Sequence, residues 1–242
     1  MFAIHANLFP DAFEPLQHLR ALNLFNNFKL FQTSALSQEP RLSLSGLNHM
    51  EVLGFGSNML SNVPWELLDE VNQSLVSLDL SHNVFIELGY KDLIASTSDD
   101  LHYEYNTFPR MPRLQHLNLD SCRIQIIHWK AFTHLSNLTD LSLRRNPLYV
   151  VPVAAMLPSL ESLYLEGIEG IFDDGDKFVV INHVFSYYAN MSNLKVLSMT
   201  NMQLGPIGPK TFEGLDGLED LILDYVVFDS VDEKAFMKLT NL

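Results

Sequence analysis

The sequence predicts an α/β solenoid: a curved stack of short units with one parallel sheet on its concave side and irregular or short helical segments on its convex side. Three observations predict it. A nine-residue pattern, L-x-x-L-x-L-x-x-N, starts at Leu19, Met50, Leu75, Leu114, Leu138, Leu160, Leu194 and Leu218. Its first, fourth and sixth positions are apolar in every copy, and are leucine except at Met50, Phe55 and Met199. A second apolar rhythm follows, as Ile124, Ile127, Phe132 and Leu135 follow the copy from Leu114. With about one residue in two apolar, so regular a pattern would arise by chance roughly once in ten million trials.

Each part of the unit has a physical reading. The x-L-x-L-x core alternates with period two, which predicts a short strand with one buried face. The ninth position is Asn27, Asn58, Asn83 and Asn146 in four copies and Cys122 in a fifth. An asparagine amide there can bond the backbone groups of neighbouring turns. Ile168, Met202 and Val226 hold that place in the other copies, where the turn is expected to be looser or differently hydrogen-bonded. Successive starts lie 31, 25, 39, 24, 22, 34 and 24 residues apart, so the unit is about 24 residues with three longer copies. The apolar residues after each strand return along the convex side. No unit can bury its own apolar face, so stacking must supply the stability.

The 24-residue unit, with Ala131-Phe132-Thr133-His134-Leu135 in its second half, resembles the leucine-rich repeat family over nearly the whole chain. It is similar to the typical class of extracellular receptors and matrix proteins. The resemblance implies a curved leucine-rich repeat horseshoe acting as a protein-binding module. It implies a place in a receptor, adhesion or immune-recognition protein, extracellular or at the cell surface. An intracellular adaptor or scaffold is the alternative, and the repeat type and the sequons described below speak against it.

Residues 1–242 read as a single repeat domain of about nine repeats, with insertions near 84–113 and 166–193. Phe13 and Leu16 belong to the convex half of a unit whose strand lies before or around residue 1, and the segment Ala235 to Leu242 stops at the first leucine of a further strand. Extracellular members protect such ends with disulfide-bonded caps, which a single cysteine does not allow. The expectation is therefore a fragment of a longer chain.

Composition narrows the partners. Hydrophobic residues make up 47% and charged residues 18%, a globular balance and not a disordered one. The net charge of -14 is a poor match for phosphate backbones or anionic lipid, so nucleic acid is not expected as a partner. No run of 18 apolar residues exists, and the first residues lack the basic and apolar regions of a secretory signal. Membrane attachment would come only through a flanking segment.

The outward positions of the strands form columns on the concave face. Asp79, His116, Asp120, Asp140, Arg144, Arg145, Tyr164 and Glu166 cluster in its middle. Arginine and tyrosine favour interfaces because they combine contact area with directed hydrogen bonds. These eight residues are the expected binding surface for a protein ligand or co-receptor of basic character, with a homodimer as a further expectation. The competing reading is a solvated sheet face on which Asp120, Arg144 and Glu166 merely pair across strands.

Catalysis is not expected. His116 with Asp120, or His82 with Asp79, could suggest acid–base work, but no nucleophile in a closed pocket accompanies them. There is no GxGxxG, P-loop or HExxH, so no cofactor is expected. The acidic run Asp173-Asp174-Gly175-Asp176 fails the EF-hand spacing, and no metal is expected. Cys122 is expected to be a buried, hydrogen-bonding thiol rather than a reactive one. Three N-x-S/T sequons, at Asn72, Asn137 and Asn190, each sit just before a strand and are candidate glycosylation sites.

Overall fold

The structure is a computed structural model, and it describes residues 10–27, 42–89, 107–128, 130–148, 157–167 and 191–242. Most of both insertions, and Asn190 with them, lies outside the described residues.

Eight strands form one parallel sheet: β1 (Ala21–Asn23), β2 (Val52–Gly54), β3 (Ser77–Asp79), β5 (His116–Asn118), β7 (Asp140–Ser142), β8 (Ser162–Glu166), β9 (Val196–Thr200) and β11 (Asp220–Ile222). Each strand pairs with the next unit, in a register that places Leu22, Leu53, Leu78, Leu117, Leu141, Leu163, Leu197 and Leu221 side by side. This is the predicted fold, with the predicted leucines inside. The convex side carries two small parallel pairs, β4 (Glu87–Leu88) with β6 (Ile126–Ile127) and β10 (Gln203–Leu204) with β12 (Val227–Phe228). Among the described residues it also carries one short α-helix, α1 (Trp65–Val71), which begins after Pro64 and buries Leu68 and Val71. One continuous apolar core runs from Leu24 to Leu239. Stacked rings bridge successive units on its convex side, Phe108 on Phe132 at 5.9 Å and Phe212 on Phe236 at 5.4 Å.

A repeated polar rule joins the layers. The carbonyl at the second position accepts two N–H groups from the next unit: Arg20 takes Glu51 and Val52, Val76 takes Gln115 and His116, and Glu161 takes Lys195 and Val196. The ninth-position asparagines bond both ways. Asn83 donates to Phe55 O at 3.1 Å and Leu80 O at 2.7 Å, and its Oδ1 accepts from the N–H of Asn58 and of Leu60, both at 3.0 Å. Asn146 does the same with Leu119 O, Leu143 O and the N–H groups of Cys122 and Ile124. This satisfies backbone groups that burial would otherwise strand.

Candidate protein-binding face

Two local devices decide what the concave face presents. At the fifth position, Asn23, Asp79 and Asn118 each turn a side-chain oxygen onto the N–H two residues later, at Phe25, Ser81 and Asp120. This is an Asx turn, and the backbone bonds between units continue through it, as Leu24 donates to Gly54 O and Leu80 to Asn118 O. At the eighth position the backbone is left-handed, with φ between 53° and 58° at Asn26, Ser57, His82, Ser121, Arg145, Asn201 and Tyr225. That bend swings the chain off the sheet toward the convex side. The sequence pattern marks both places but does not reveal the φ, because of these seven only Asn26, His82 and Asn201 are residue types enriched there.

The longest strand pairing is that of β8 with β9. β8 and β9 carry Tyr164 and Ser198 at the fifth position and Ile168 and Met202 at the ninth. They stay paired for five residues, adding Leu165 to Met199 and Glu166 to Thr200. The differently bonded turns expected at Ile168 and Met202 thus follow a longer ladder; Ile168 itself lies outside the described residues.

Seven of the eight predicted surface residues join in four contacts across three strands or the turns that leave them. His116 Nδ1 lies 3.0 Å from Asp140 Oδ2, which also accepts from the hydroxyl of Thr139 at 2.7 Å. Asp120 Oδ1 accepts from Ser142 Oγ at 2.6 Å and from the backbone N–H of Arg144 at 2.8 Å. The Arg144 guanidinium carbon sits 4.4 Å from the centroid of the Tyr164 ring. Arg145 Nε reaches Glu166 Oε1 at 3.2 Å, with the arginine side chain 66% exposed. Asp79 stands one strand away from β5 and is occupied with its own turn at Ser81.

The pairing differs in detail from the simple cross-strand expectation. Glu166 pairs with Arg145, not with Arg144. Asp120 holds the backbone of Arg144, not its guanidinium. Arg144 is therefore clamped at its main chain and laid over an aromatic face, with no carboxylate partner among the described residues. A fixed, half-buried cation on a tyrosine ring is suited to docking a protein side chain or backbone carbonyl. Ser142 and Thr139 are the members that sequence reasoning missed. Their signal was the hydroxyl beside each carboxylate in the register.

Cys122 is buried, as expected, and burial pushes its thiol up to about 12. Nearby Asp120 and Asp79 push the same way. Among the described residues no cluster of three His, Cys, Asp or Glu could hold a metal ion, and no helix is long and apolar enough to cross a membrane. Two sequons can be placed. Asn137 is exposed and donates its amide to Pro112 O at 2.6 Å, while Asn72, at the end of α1, donates to Asp69 Oδ1 at 2.7 Å.

Comparison with known proteins gives the same picture. A family model described as leucine rich repeat matches residues 107–167. Toll-like receptor 3 of Bos taurus is 28% identical over 205 residues, covering 82% of this chain and 20% of the receptor. The chain thus spans about a fifth of that relative's length. A TLR13–ssRNA13 complex superposes with a TM-score of 0.64 at 21% identity, over 94% of this chain and 32% of that one. The mouse RP105/MD-1 complex gives 0.59 at 21% identity, over 98% and 39%. The Drosophila Toll–Spatzle complex gives 0.57 at 18% identity, over 98% and 34%. Solenoids of this fold therefore occur in complexes with RNA as well as with proteins. The expectation that nucleic acid is not a partner came from this chain's acidity alone, and the RNA complex of that neighbour stands in tension with it. Repeat and register recur along the described chain, the leucine rich repeat model matches residues 107–167, and the fold is similar to the solenoids of Toll-type receptors.

Proposed function

We propose that the chain is the protein-binding module of an extracellular, immune-receptor-type leucine-rich repeat protein, and that residues 1–242 act as a single domain. Its ligand docks on the concave face around Arg144 and Tyr164, with Asp79, His116, Asp120, Asp140, Arg145 and Glu166 forming the surround. The carrying observation is the Arg144–Tyr164 stack, held by Asp120 through backbone and hydroxyl bonds. An anchor whose conformation is fixed before binding loses little entropy when a partner arrives. The continuous core supports the single-domain reading.

The test is a binding screen of the chain against secreted and cell-surface ectodomain proteins, repeated with Arg144→Glu. Ligands of the concave face drop out with the variant. Ligands that all bind the variant equally well overturn the proposal. Glycan mass at Asn72, Asn137 or Asn190 after secretion from a eukaryotic host supports passage through the secretory pathway.

A further inference from the structure

We propose that the concave face takes an acidic protein segment, whose side-chain carboxylates dock on Arg123, Arg144 and Arg145. This is the ligand chemistry of the face proposed above, and it rests on that reading.

The charge of the chain is unevenly placed. Residues 107–148, which carry β5 and β7, hold six arginines or lysines against two carboxylates, Asp120 and Asp140. The remaining 200 residues hold nine against 27. A net charge of -14 thus conceals a cationic band across the middle of the stack. The two strands of the band span about 10 Å, and salt screens a charge over about 8 Å. A docked group therefore senses the band more than the sum over the chain. The basic partner that the sum suggests is not the one that the band fits.

Three of the band's cations lie close along the backbone where the concave face bends away. Arg144 rests on the Tyr164 ring, with its own N–H held by Asp120. Arg145 follows it and meets Glu166 through Nε on an exposed side chain. Arg123 is exposed, and the residues on either side of it, Cys122 and Ile124, both donate to Asn146 Oδ1 at 3.0 Å. Its backbone is thereby pinned beside the residue that follows Arg145. Both carboxylates of the band are turned to other groups, Asp140 to His116 and Thr139, and Asp120 to Ser142 and the main chain of Arg144. Arg123 and Arg144 have no ion-pair partner among the described residues. A guanidinium receives a carboxylate through two parallel N–H···O bonds, and a half-buried seat such as that of Arg144 strengthens them.

The width of the band favours protein over nucleic acid. A nucleic-acid strand carries a phosphate about every 3.4 Å, so one laid along the curve of the sheet places only about three on the band. Its next phosphates would face Asp79 on β3, or Glu161 and Glu166 at β8. A short acidic segment of a protein ends within the band.

The probe is a rhodamine-labelled, C-terminally amidated peptide of alternating glutamate and glycine with four glutamates. It is titrated with the full chain at about 0.15 M salt and followed by fluorescence anisotropy. Saturable binding with Kd below about 1 mM is expected, about tenfold weaker or more when the glutamates are replaced by glutamines. Arg123→Gln and Arg144→Gln are each expected to weaken it about threefold to tenfold. Lys210→Gln, at an exposed cation outside the band, is expected to leave it unchanged. A five-nucleotide single-stranded RNA, matched at four negative charges, is expected to bind more weakly than the peptide. No saturable binding of the glutamate peptide overturns the proposal, as does equal binding of the glutamine peptide. An equal loss with Lys210→Gln overturns it, because the attraction would then belong to no one place. Tighter binding of the RNA, lost with the same arginine variants, overturns it in favour of a phosphate ligand. The face itself fails by a different result, in which the ligands of the ectodomain screen bind Arg144→Glu as well as the parent. Screen ligands lost with Arg144→Glu, beside a glutamate peptide that does not bind, overturn the acidic ligand and keep the face.

Discussion

The thiol of Cys122 donates to the carbonyl of Leu80 at 3.1 Å, in the place where Asn83 donates to Phe55 and Asn146 donates to Leu119. Cysteine keeps that donor but offers only a weak sulfur acceptor toward the preceding turn. Cys122→Val removes the second donor to Leu80 O, which keeps only the Asn83 amide, and strips the bond that ties this unit to the preceding turn. It is expected to cost about 1–2 kcal/mol in a urea melt, while Cys122→Asn is neutral or stabilising. Equal stability of the valine variant would show that the thiol is filler alone.

The same thiol gives a pH prediction. Its folded pKa of about 12 lies above the ordinary 9.0. Between those values the folded chain holds a proton that the unfolded chain has lost. This contribution to stability is complete below pH 9 and falls as pH rises toward 12. Cys122→Ser removes that slope. At pH 8 a thiol reagent should label the folded chain only as fast as it opens, and prompt labelling in the native state would contradict the burial.

Leu117 lies at the centre of the leucine row and is 2% exposed. Leu117→Asp buries an unpaired carboxylate between β3 and β7. A loss of about 3–5 kcal/mol is expected, read as a collapsed thermal transition. A soluble variant with unchanged melting would refute the register.

Tyr225 combines φ of 57° with 87% exposure, so its backbone can be tested without disturbing the core. Tyr225→Val is expected to cost about 1–2 kcal/mol, because a β-branched side chain is strained in the left-handed region. Tyr225→Gly should be no less stable than the parent. Should valine be tolerated equally, the turn adopts a different conformation in solution.

For the binding face, Tyr164→Ala removes the platform under Arg144 without touching charge. Relative to the parent, a ligand from the ectodomain screen should bind about 5–30-fold more weakly, with the melting curve little changed. Loss of stability without loss of affinity would make the stack a scaffold feature.

Much of this fold was legible in the sequence because leucine at a period-two spacing has one sensible burial. Leu53, Leu78 and Leu141 could go nowhere else, and Asn83 and Asn146 had a stated job that they perform. The candidate face was legible only as a set of columns. Which carboxylate meets which cation depends on one backbone angle: the left-handed turn at Arg145 carries that arginine to Glu166 and leaves Arg144 to Tyr164. Nothing in an arginine's chemistry announces a positive φ. The Asx turn at Asp79 was visible in principle, since Asp and Asn recur at the fifth position, but a carboxylate on a concave face reads equally well as a ligand contact.

The shared carbonyls at the second position have a mechanical consequence. They recur at all seven seams of the sheet, from Arg20 to Lys195, and at most seams the N–H groups of the sixth and eighth positions carry the bonding on through the exit turn. Pulled from its ends, such a stack should yield at nearly uniform force, with no one seam outlasting the rest by its backbone bonds alone.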